Sequence, residues 1–334
     1  MKLFILTNTP DRASFRQRIG VYLDAFRESG IDCEVARLPG GISARRRLFR
    51  RASDFAGVLL HKKKLNVIDA FWLRRYARKI IYNFDDAIMY SDRHPERNSR
   101  SHFRPWQRTV KIADMIITGN SYLAENARRF NSNVVILPIG LRVSDYQVLR
   151  PAKSDNKIRL VWIGSKSTLS YLAQIRPALE EVGARFDNVV LRIVCDEFLD
   201  LKNMEVEKCL WSERTRAVDL AACDIGLAPL PANRFTRGKC SFKVLEYASA
   251  GLPVVASPVG TNTDHVVDGQ TGFLAKDIDE WPDRITRLIE NPKLAKSMGE
   301  AGLAHAKNFD ACIMGRKLAD LIASVLQDQG APVT

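Results

Sequence analysis

The chain has 334 residues, of which 51 are Lys or Arg and 38 are Asp or Glu, so its formal net charge is +13. Residues 1–150 carry 28 basic and 14 acidic side chains, which places the whole excess in the first half and leaves the remainder close to neutral. Hydrophobic residues make up 46% of the chain and occur throughout, which excludes a disordered basic tail. The length suggests about two domains.

The apolar runs are all far shorter than the roughly 20 residues that span a bilayer, so we expect no membrane-spanning segment. The start, MKLFILTNTP, contains too short an apolar run for the core of a signal peptide. The six cysteines form no CxxC pair, and several lie inside apolar runs. This usage predicts reduced, buried thiols in a cytoplasmic protein rather than disulfides or metal ligands.

In the first half, short apolar runs alternate with amphipathic stretches. KLFILT (2–7) predicts a strand, and a helix is expected from Ser14 to Glu28, ending at Gly30. Further strands are predicted at 55–60, 79–84, 114–118 and 134–138, with helical patterns between them at 65–78 and 121–130. Buried strands that alternate with helices indicate a parallel sheet covered on both faces.

The second half repeats this organisation after a polar, Pro-led stretch, 151–157, that we interpret as a linker. Strands are predicted at 158–164, 189–195, 224–229 and 253–257, and helices at 278–290, 293–308 and 312–327. The predicted fold class is therefore α/β, with two Rossmann-like doubly wound domains facing across a cleft. In such sheets ligands bind beyond the carboxyl ends of the strands.

The most informative segment is RGKCSFKVLEYASAGLPVVASPVGTN, residues 237–262. Ser241 is placed to cap a helix that begins at Phe242 and ends before Gly251, and the N-terminus of that helix suits a phosphate. Lys239 and Lys243 would add positive charge there. Glu246 lies on the same face as Lys243 and could accept hydrogen bonds from a ribose diol. A solvent-exposed Lys–Glu pair is the alternative interpretation.

This segment resembles the donor-binding signature of the retaining glycosyltransferases of family 4, which have the GT-B fold. The resemblance extends over nearly the whole chain, through 113–127, 134–140, 160–172, 219–231 and 266–274. It implies an N-terminal acceptor-binding domain (1–150) and a C-terminal donor-binding domain (151–310). It also implies a C-terminal helix (311–334) that packs back toward the first domain.

The resemblance assigns donor-binding roles position by position. Glu246 matches the second of two signature glutamates, which contacts the nucleotide ribose. Gly238 stands where the first glutamate is usual, and Ser165 stands where many members have an arginine, so Lys166, Lys239 and Lys243 are expected to compensate. The full donor-binding set is Gly164, Ser165, Lys166, Trp211, Gly238, Lys239, Cys240, Ser241, Phe242, Lys243 and Glu246.

In the first domain, the resemblance implies that the loop after the first strand approaches the diphosphate, with Ser14 or Arg16 as the contacting residue. Ordinary first-turn helix charges are an equal alternative for Arg16 and Arg18. Asp85 and Asp86 follow a buried strand where relatives carry a His-Asp pair, and they are the candidate catalytic residues. As neighbours on an extended chain, they are expected to point to opposite faces. His61 either borders the site or lies on the surface beside three lysines.

The implied reaction is metal-independent transfer of a sugar, with retention, from a nucleoside-diphosphate sugar of the UDP or GDP type. No cofactor is expected, and the acceptor is a glycan or a lipid-linked molecule, in bacterial-type cell-surface glycan, polysaccharide or glycolipid assembly. A catalytically altered relative, acting as a nucleotide-sugar-binding scaffold or epimerase, is the alternative. A nucleic-acid-binding protein is a remote one, because aromatic residues are not interleaved with the basic clusters.

Basic residues 43–79 concentrate the charge of the first domain. They suit an anionic membrane surface and peripheral attachment to the inner face of the membrane, with Leu48 and Phe49 as a small apolar anchor. A solvated basic face is the alternative.

Overall fold

The computed structural model describes residues 1–151 and 155–327. These residues form two compact units. Unit 1 comprises the described residues of Met1–Gly140, Asn233–Cys240 and Ala311–Thr334, and unit 2 comprises those of Leu141–Ala232 and Ser241–Asp310. Part of the predicted linker, residues 152–154, lies outside the described residues, as does the end of the terminal segment, 328–334.

Unit 1 contains a six-stranded parallel sheet in the order β2-β1-β3-β4-β5-β6. Its strands are β1 Lys2–Thr7, β2 Asp32–Arg37, β3 Gly57–His61, β4 Ile80–Phe84, β5 Met115–Thr118 and β6 Val134–Ile136. Its helices are α1 Ala13–Arg18, α2 Leu23–Glu28, α3 Ile42–Arg50, α4 Val67–Tyr76, α5 Arg100–Ile112, α6 Ser121–Arg128 and α14 Ala311–Gln327.

Unit 2 contains a second six-stranded parallel sheet, in the order β12-β11-β10-β7-β8-β9. Its strands are β7 Ile158–Ile163, β8 Val189–Val194, β9 Glu205–Cys209, β10 Ile225–Ala228, β11 Val254–Ala256 and β12 Gly272–Leu274. Its helices are α7 Leu169–Ala173, α8 Arg176–Arg185, α9 Arg216–Ala221, α10 Phe242–Ser249, α11 Asn262–His265, α12 Glu280–Glu290 and α13 Pro292–Ala306.

The sheet of unit 1 is covered on both faces, because alternate residues of a strand point to opposite sides. Phe4 and Leu6 of β1 join one hydrophobic cluster with residues of α3, α4, α5 and α6. Leu3 and Ile5 join another with residues of α1, α2 and α14. The predicted doubly wound arrangement is therefore confirmed, and α3 and α14 lie over opposite faces of the sheet.

Two features of the fold differ from the sequence prediction. The helix expected from Ser14 to Glu28 is divided into α1, a short 3-10 turn at Gly20–Tyr22, and α2, because the backbone at Ile19 leaves the helical region. The strands β2, β9 and β12 at the sheet edges were not predicted. β2 and β9 are only half-buried, so their sequences lack a continuous apolar run.

All six cysteines are free thiols, but the prediction that they are buried holds for only three of them: Cys195, Cys223 and Cys240 are buried, Cys33 and Cys209 are half-buried, and Cys312 is exposed. Among the helices of the described ranges, none combines the length and apolar content needed to cross a membrane.

Candidate functional site

Three strands of unit 1 end side by side at the carboxyl edge of its sheet. From β1 the chain continues to β2 at one side of the sheet and then returns to β3 on the other side of β1. The gap between β1 and β3 is therefore the switch point of the sheet, where the strand order reverses. This is the position at which doubly wound sheets bind ligands. At this point the Thr7 hydroxyl, which ends β1, hydrogen-bonds Nδ1 of His61, which ends β3, at 3.2 Å.

Asp85 and Asp86, which follow β4, both contact the amine of Lys62, the residue after β3. Lys62 Nζ lies 3.0 Å from Asp85 Oδ1 and also donates to Asp86 Oδ2. The expectation that the two carboxylates point to opposite faces is wrong. They lie just past the end of β4, where the alternation of an extended strand no longer applies.

Lys62 holds this position with a left-handed backbone. Its φ is +52°, in a region that costs a non-glycine residue roughly 1–2 kcal/mol. Such strain persists where surrounding contacts fix the residue, and it clusters at functional sites. Sequence reasoning missed Lys62 because it lies in the KKK run, which was interpreted only as surface charge. Its position directly after a fully buried strand was the sequence feature that could have indicated a functional role.

The segment Asn233–Cys240 belongs to unit 1 and completes this cluster. Lys239 Nζ lies 3.2 Å from Asp86 Oδ1, and the Cys240 thiol donates to the Asp85 carbonyl at 3.0 Å. Asn120 fixes the segment through its side-chain amide, which donates to the carbonyls of Arg237 (3.2 Å) and Lys239 (3.4 Å).

Gly238 leaves no space for a side chain. A Cβ at this position would lie 2.7 Å from the Cβ and the backbone nitrogen of Ala87, and 2.9 Å from Leu123. Because a backbone atom cannot move aside as a flexible side chain does, any larger residue here would displace the segment. This packing accounts for the absence of the glutamate that the family signature places at this position.

The charges of this cluster compensate one another. Burial by itself would raise the pKa of Asp86, but Lys62 and Lys239 outweigh that effect and lower the pKa to about 2. Burial would lower the pKa of Lys62, but the two carboxylates raise it instead. Lys62 and Asp86 therefore stay ionised together at neutral pH.

His61 is buried and neutral. It is 2% exposed, and burial lowers its pKa to about 4 although Asp85 acts in the opposite direction. The interpretation of His61 as a surface residue is therefore wrong. Its Nε2 atom is buried and makes no hydrogen bond within residues 1–151 and 155–327.

The helix α1 divides its two arginines between different environments. Arg18 is fully buried, and it donates from Nε to Asn83 Oδ1 (3.1 Å) and from Nη1 to the Leu137 carbonyl (2.8 Å). It is therefore no ordinary helix surface charge. Arg16 is exposed and donates to the Asp11 carbonyl at 2.6 Å, and Ser14 is half-buried.

In unit 2, Glu246 lies on α10 with its carboxylate in a buried polar group. The Tyr146 hydroxyl donates to Glu246 Oε1 at 2.7 Å, and Arg216 Nη1 lies 4.0 Å from the same oxygen. Glu246 is 5% exposed. Burial raises its pKa, although Tyr146, Arg216 and Lys243 oppose this effect. Sequence reasoning identified Glu246 but missed Tyr146 and Arg216, which are far from it in the chain.

The N-terminus of α10 departs from ordinary capping. Ser241 precedes the helix with a left-handed φ of +48°, and its side chain makes no capping hydrogen bond. The prediction that Ser241 caps the helix through its hydroxyl is therefore wrong. The hydroxyl is buried, and no described residue forms a hydrogen bond with it. Within the same turn, Lys243 Nζ lies 4.3 Å from the centre of the Trp162 ring.

The loop after β7 carries three of the other predicted donor-binding positions, Gly164, Ser165 and Lys166, whereas Trp211 follows β9. Ser165 forms a capping box with Thr168, and Lys166 is exposed and paired with Glu197. A Cβ on Gly164 would lie 2.4 Å from the Trp162 ring, so this position also requires glycine. Of the predicted set, Gly238, Lys239 and Cys240 belong to unit 1. Those in unit 2 are Gly164, Ser165, Lys166, Trp211, Ser241, Phe242, Lys243 and Glu246.

Comparison with known proteins places the family similarity mostly in unit 2, since only residues 233–240 of the matched range belong to unit 1. Residues 147–291 match the family described as Glycosyl transferases group 1. A D-inositol 3-phosphate glycosyltransferase of Corynebacterium aurimucosum is 32% identical over 84 residues, which are 25% of this chain and 20% of that protein. A trehalose synthase of Pyrococcus horikoshii is 38% identical over 67 residues, 20% of this chain and 16% of that protein. The chain thus matches about a fifth of the length of these relatives.

Solved structures are similar over nearly the whole chain. The Anabaena protein Alr3699/HepE in complex with UDP-glucose has a TM-score of 0.76 at 17% identity, over 97% of this chain and 100% of that chain. Sucrose-phosphate synthase of Thermosynechococcus elongatus has a TM-score of 0.74 at 13% identity, over 98% of this chain and 99% of that chain. The fold is therefore GT-B, and the similarity to group 1 glycosyl transferases lies in residues 147–291.

Proposed function

We propose that this protein is a retaining glycosyltransferase of family 4 that transfers a sugar from a nucleoside-diphosphate sugar to an acceptor hydroxyl. The observation that carries the proposal is the buried Glu246 carboxylate on α10, which lies within the region that matches the family and accepts a hydrogen bond from Tyr146. A buried carboxylate with a fixed orientation is suited to accept hydrogen bonds from the two hydroxyls of a ribose. The structures of the Anabaena protein, which contain UDP or UDP-glucose, support a donor of this class.

The diphosphate would bind at the N-terminus of α10. The first amides of a helix and the positive end of its dipole favour an anion. The buried hydroxyl of Ser241 supplies an additional donor with no hydrogen-bond partner among the described residues, and Lys243 supplies charge close by. We propose Gly164, Ser165, Lys166 and Trp211 as further donor contacts, and backbone groups of Arg237 to Ser241 as contacts to the sugar.

The acceptor would be positioned by the cluster in unit 1. Asp85 and Asp86 are proposed as its catalytic residues, acting as hydrogen-bond acceptors for the attacking hydroxyl. Both carboxylates are already paired with lysines, Asp85 with Lys62 and Asp86 with Lys62 and Lys239, instead of being free to hold a divalent cation, which supports metal-independent catalysis. Such catalysis would consist mainly of positioning and of stabilising the departing diphosphate. We place the reaction in the cytoplasm, in the assembly of a cell-surface glycan, polysaccharide or glycolipid.

One observation favours a second candidate, a catalytically altered relative that binds a nucleotide sugar without transferring it. Gly238 replaces the signature glutamate that contacts the sugar, and the packing against Ala87 excludes that glutamate. Donor binding and transfer must therefore be measured separately.

Binding comes first, by isothermal titration of the purified protein with UDP, GDP and their sugars. We expect one nucleotide to bind, and Glu246→Gln to weaken it about tenfold, because a neutral amide loses the charge-assisted hydrogen bonds to ribose. Glu290→Gln, at an exposed position on α12, is the matched control and should bind as the unmodified protein does. Failure of every nucleotide to bind would refute the proposal.

Transfer is then followed by NMR with the donor that binds, with and without a chelator. Appearance of an α-linked product from an α-linked donor supports retention, and the opposite anomer refutes it. Binding without transfer to any glycan or lipid-linked acceptor would favour the second candidate. A loss of activity on chelation would contradict metal independence.

A further inference from the structure

The helix α4 is apolar on two sides, and only one of them is buried. Ala70 and Leu73 pack into the core of unit 1. On the other side, Val67 is 64% exposed, Ile68 45% and Phe71 60%. Residues three or four positions apart lie on one face of a helix, so these three side chains form a continuous exposed stripe.

A row of arginines on α3 lies beside this stripe. Arg46 and Arg50 are one turn apart, and the Arg46 guanidinium lies 4.2 Å from the centre of the Trp72 ring on α4. Arg46, Arg47, Arg50 and Trp72 line one open depression with Ile42, which is itself 52% exposed. The stripe and the arginines are contiguous, because the Phe71 and Trp72 rings lie 5.0 Å apart.

The arginines are fixed but not neutralised. Trp72 stacks on Tyr76 at 5.7 Å, and hydrogen bonds from Arg50 and Arg46 lower the pKa of Tyr76. No carboxylate in the described ranges 1–151 and 155–327 pairs with Arg46, Arg47 or Arg50. The nearby acid Asp69 is instead paired with Arg45 at 2.8 Å.

We propose that this α3–α4 surface, defined by Ile42, Arg46, Arg47, Arg50, Val67, Ile68 and Phe71, docks unit 1 on an anionic lipid bilayer. The guanidinium groups would contact lipid phosphates, and the apolar stripe would enter the boundary between headgroups and acyl chains. A second copy of this surface would bring like charges together, and a nucleic acid offers no place for Val67, Ile68 and Phe71. An anionic bilayer offers phosphates for the arginines and an apolar interior for the exposed stripe.

This surface replaces the anchor expected from the sequence. Phe49 is fully buried in the core of unit 1, and Leu48 packs partly against the same core. The expectation that Leu48 and Phe49 form the apolar anchor is therefore wrong, because both lie on the sheet-facing side of α3. The inserting residues come from α4, the neighbouring helix.

Co-sedimentation with vesicles tests the proposal, using phosphatidylcholine alone and phosphatidylcholine containing phosphatidylglycerol. We expect pelleting only with phosphatidylglycerol. Each arginine at such a surface contributes about 1 kcal/mol, or about fivefold, so Arg47→Gln with Arg50→Gln should weaken binding about 25-fold. Val67→Ser with Phe71→Ser should weaken it about tenfold, in low and in high salt, because it removes the apolar contribution.

The matched control is Arg316→Gln with Lys317→Gln, which removes the same charge from exposed positions on α14, over the opposite face of the sheet. It should change binding by less than about twofold. Equal loss in this control, equal pelleting with both vesicles, or no pelleting would overturn the proposal. Binding of an oligonucleotide that depends on Arg47 and Arg50, without vesicle binding, would also overturn it. Nucleotide binding by the same variants reports separately on the proposed function.

Discussion

Replacing Lys62 with Met tests whether this strained lysine holds the acidic cluster of unit 1 together. The side chains of Lys62 and Asp85 are 18% and 9% exposed, so the pair is largely buried. Among the described residues, Lys62 is the one cation in an ion pair with Asp85, whereas Asp86 retains Lys239. The substitution therefore leaves the Asp85 carboxylate buried and uncompensated.

The expected cost is about 3–5 kcal/mol, the range found when one partner of a buried ion pair is removed. For a domain of this size, each kcal/mol lowers the melting temperature by about 2–4 °C, so we expect a decrease of about 6–20 °C. Met keeps the strained backbone of Lys62, at φ +52°. Lys62→Gly relieves that strain and should therefore be less destabilising by about 1 kcal/mol.

Differential scanning calorimetry provides the measurement, with Lys63→Met as the control because Lys63 is the next residue and only half-buried. A second test combines Lys62→Met with Asp85→Asn, which removes the orphaned charge and should recover at least half of the lost stability. The reasoning is refuted if Lys62→Met melts within about 2 °C of the unmodified protein. It is also refuted if the double variant is as unstable as the two single effects added together.

Three further predictions concern other residues of the two clusters. Gly238→Ala should destabilise unit 1 by about 1–3 kcal/mol, because the new Cβ meets the backbone of Ala87, and Gly238→Glu should fail to raise transfer activity. Tyr146→Phe should cost about 1–3 kcal/mol in thermal unfolding, because Glu246 loses its 2.7 Å hydrogen bond, and should raise the pKa of Glu246 further. The third is a pH dependence: the pKa of His61 is about 4 in the folded protein and 6.5 when unfolded, so the unfolded state binds the additional proton between these values. Stability should therefore fall by about 3 kcal/mol as the pH drops from 7 to 4, and His61→Asn should lose this component in urea titrations.

Each of these predictions has a distinct contrary result. Gly40→Ala is the control for Gly238, because a Cβ at Gly40 meets nothing within 4 Å; equal melting temperatures of the two variants would contradict the packing argument. An unchanged pH dependence of nucleotide binding in Tyr146→Phe would show that Glu246 does not depend on Tyr146. A pH dependence of stability that is the same with and without His61 would contradict its burial as a neutral group.

The amino-acid sequence by itself determined the fold class and most elements. The central strands of both sheets are continuous apolar runs because they are covered on both faces, and β1 occupies the predicted residues 2–7. The edge strand β2 was missed because it has only one strand neighbour and is half-buried, so its sequence has no continuous apolar run. Glu246 was found through its spacing within a contiguous segment.

The tertiary structure alone decided which residues meet across long stretches of chain. Lys62, Asp86 and Lys239 form one cluster although up to 177 positions separate them in the sequence, and no local pattern carries information about such pairing. Helix periodicity likewise could not distinguish the buried Phe49 from the exposed Phe71. Both lie on helices with apolar residues on more than one side, so only the packing of α3 and α4 on the sheet determines which ring reaches solvent.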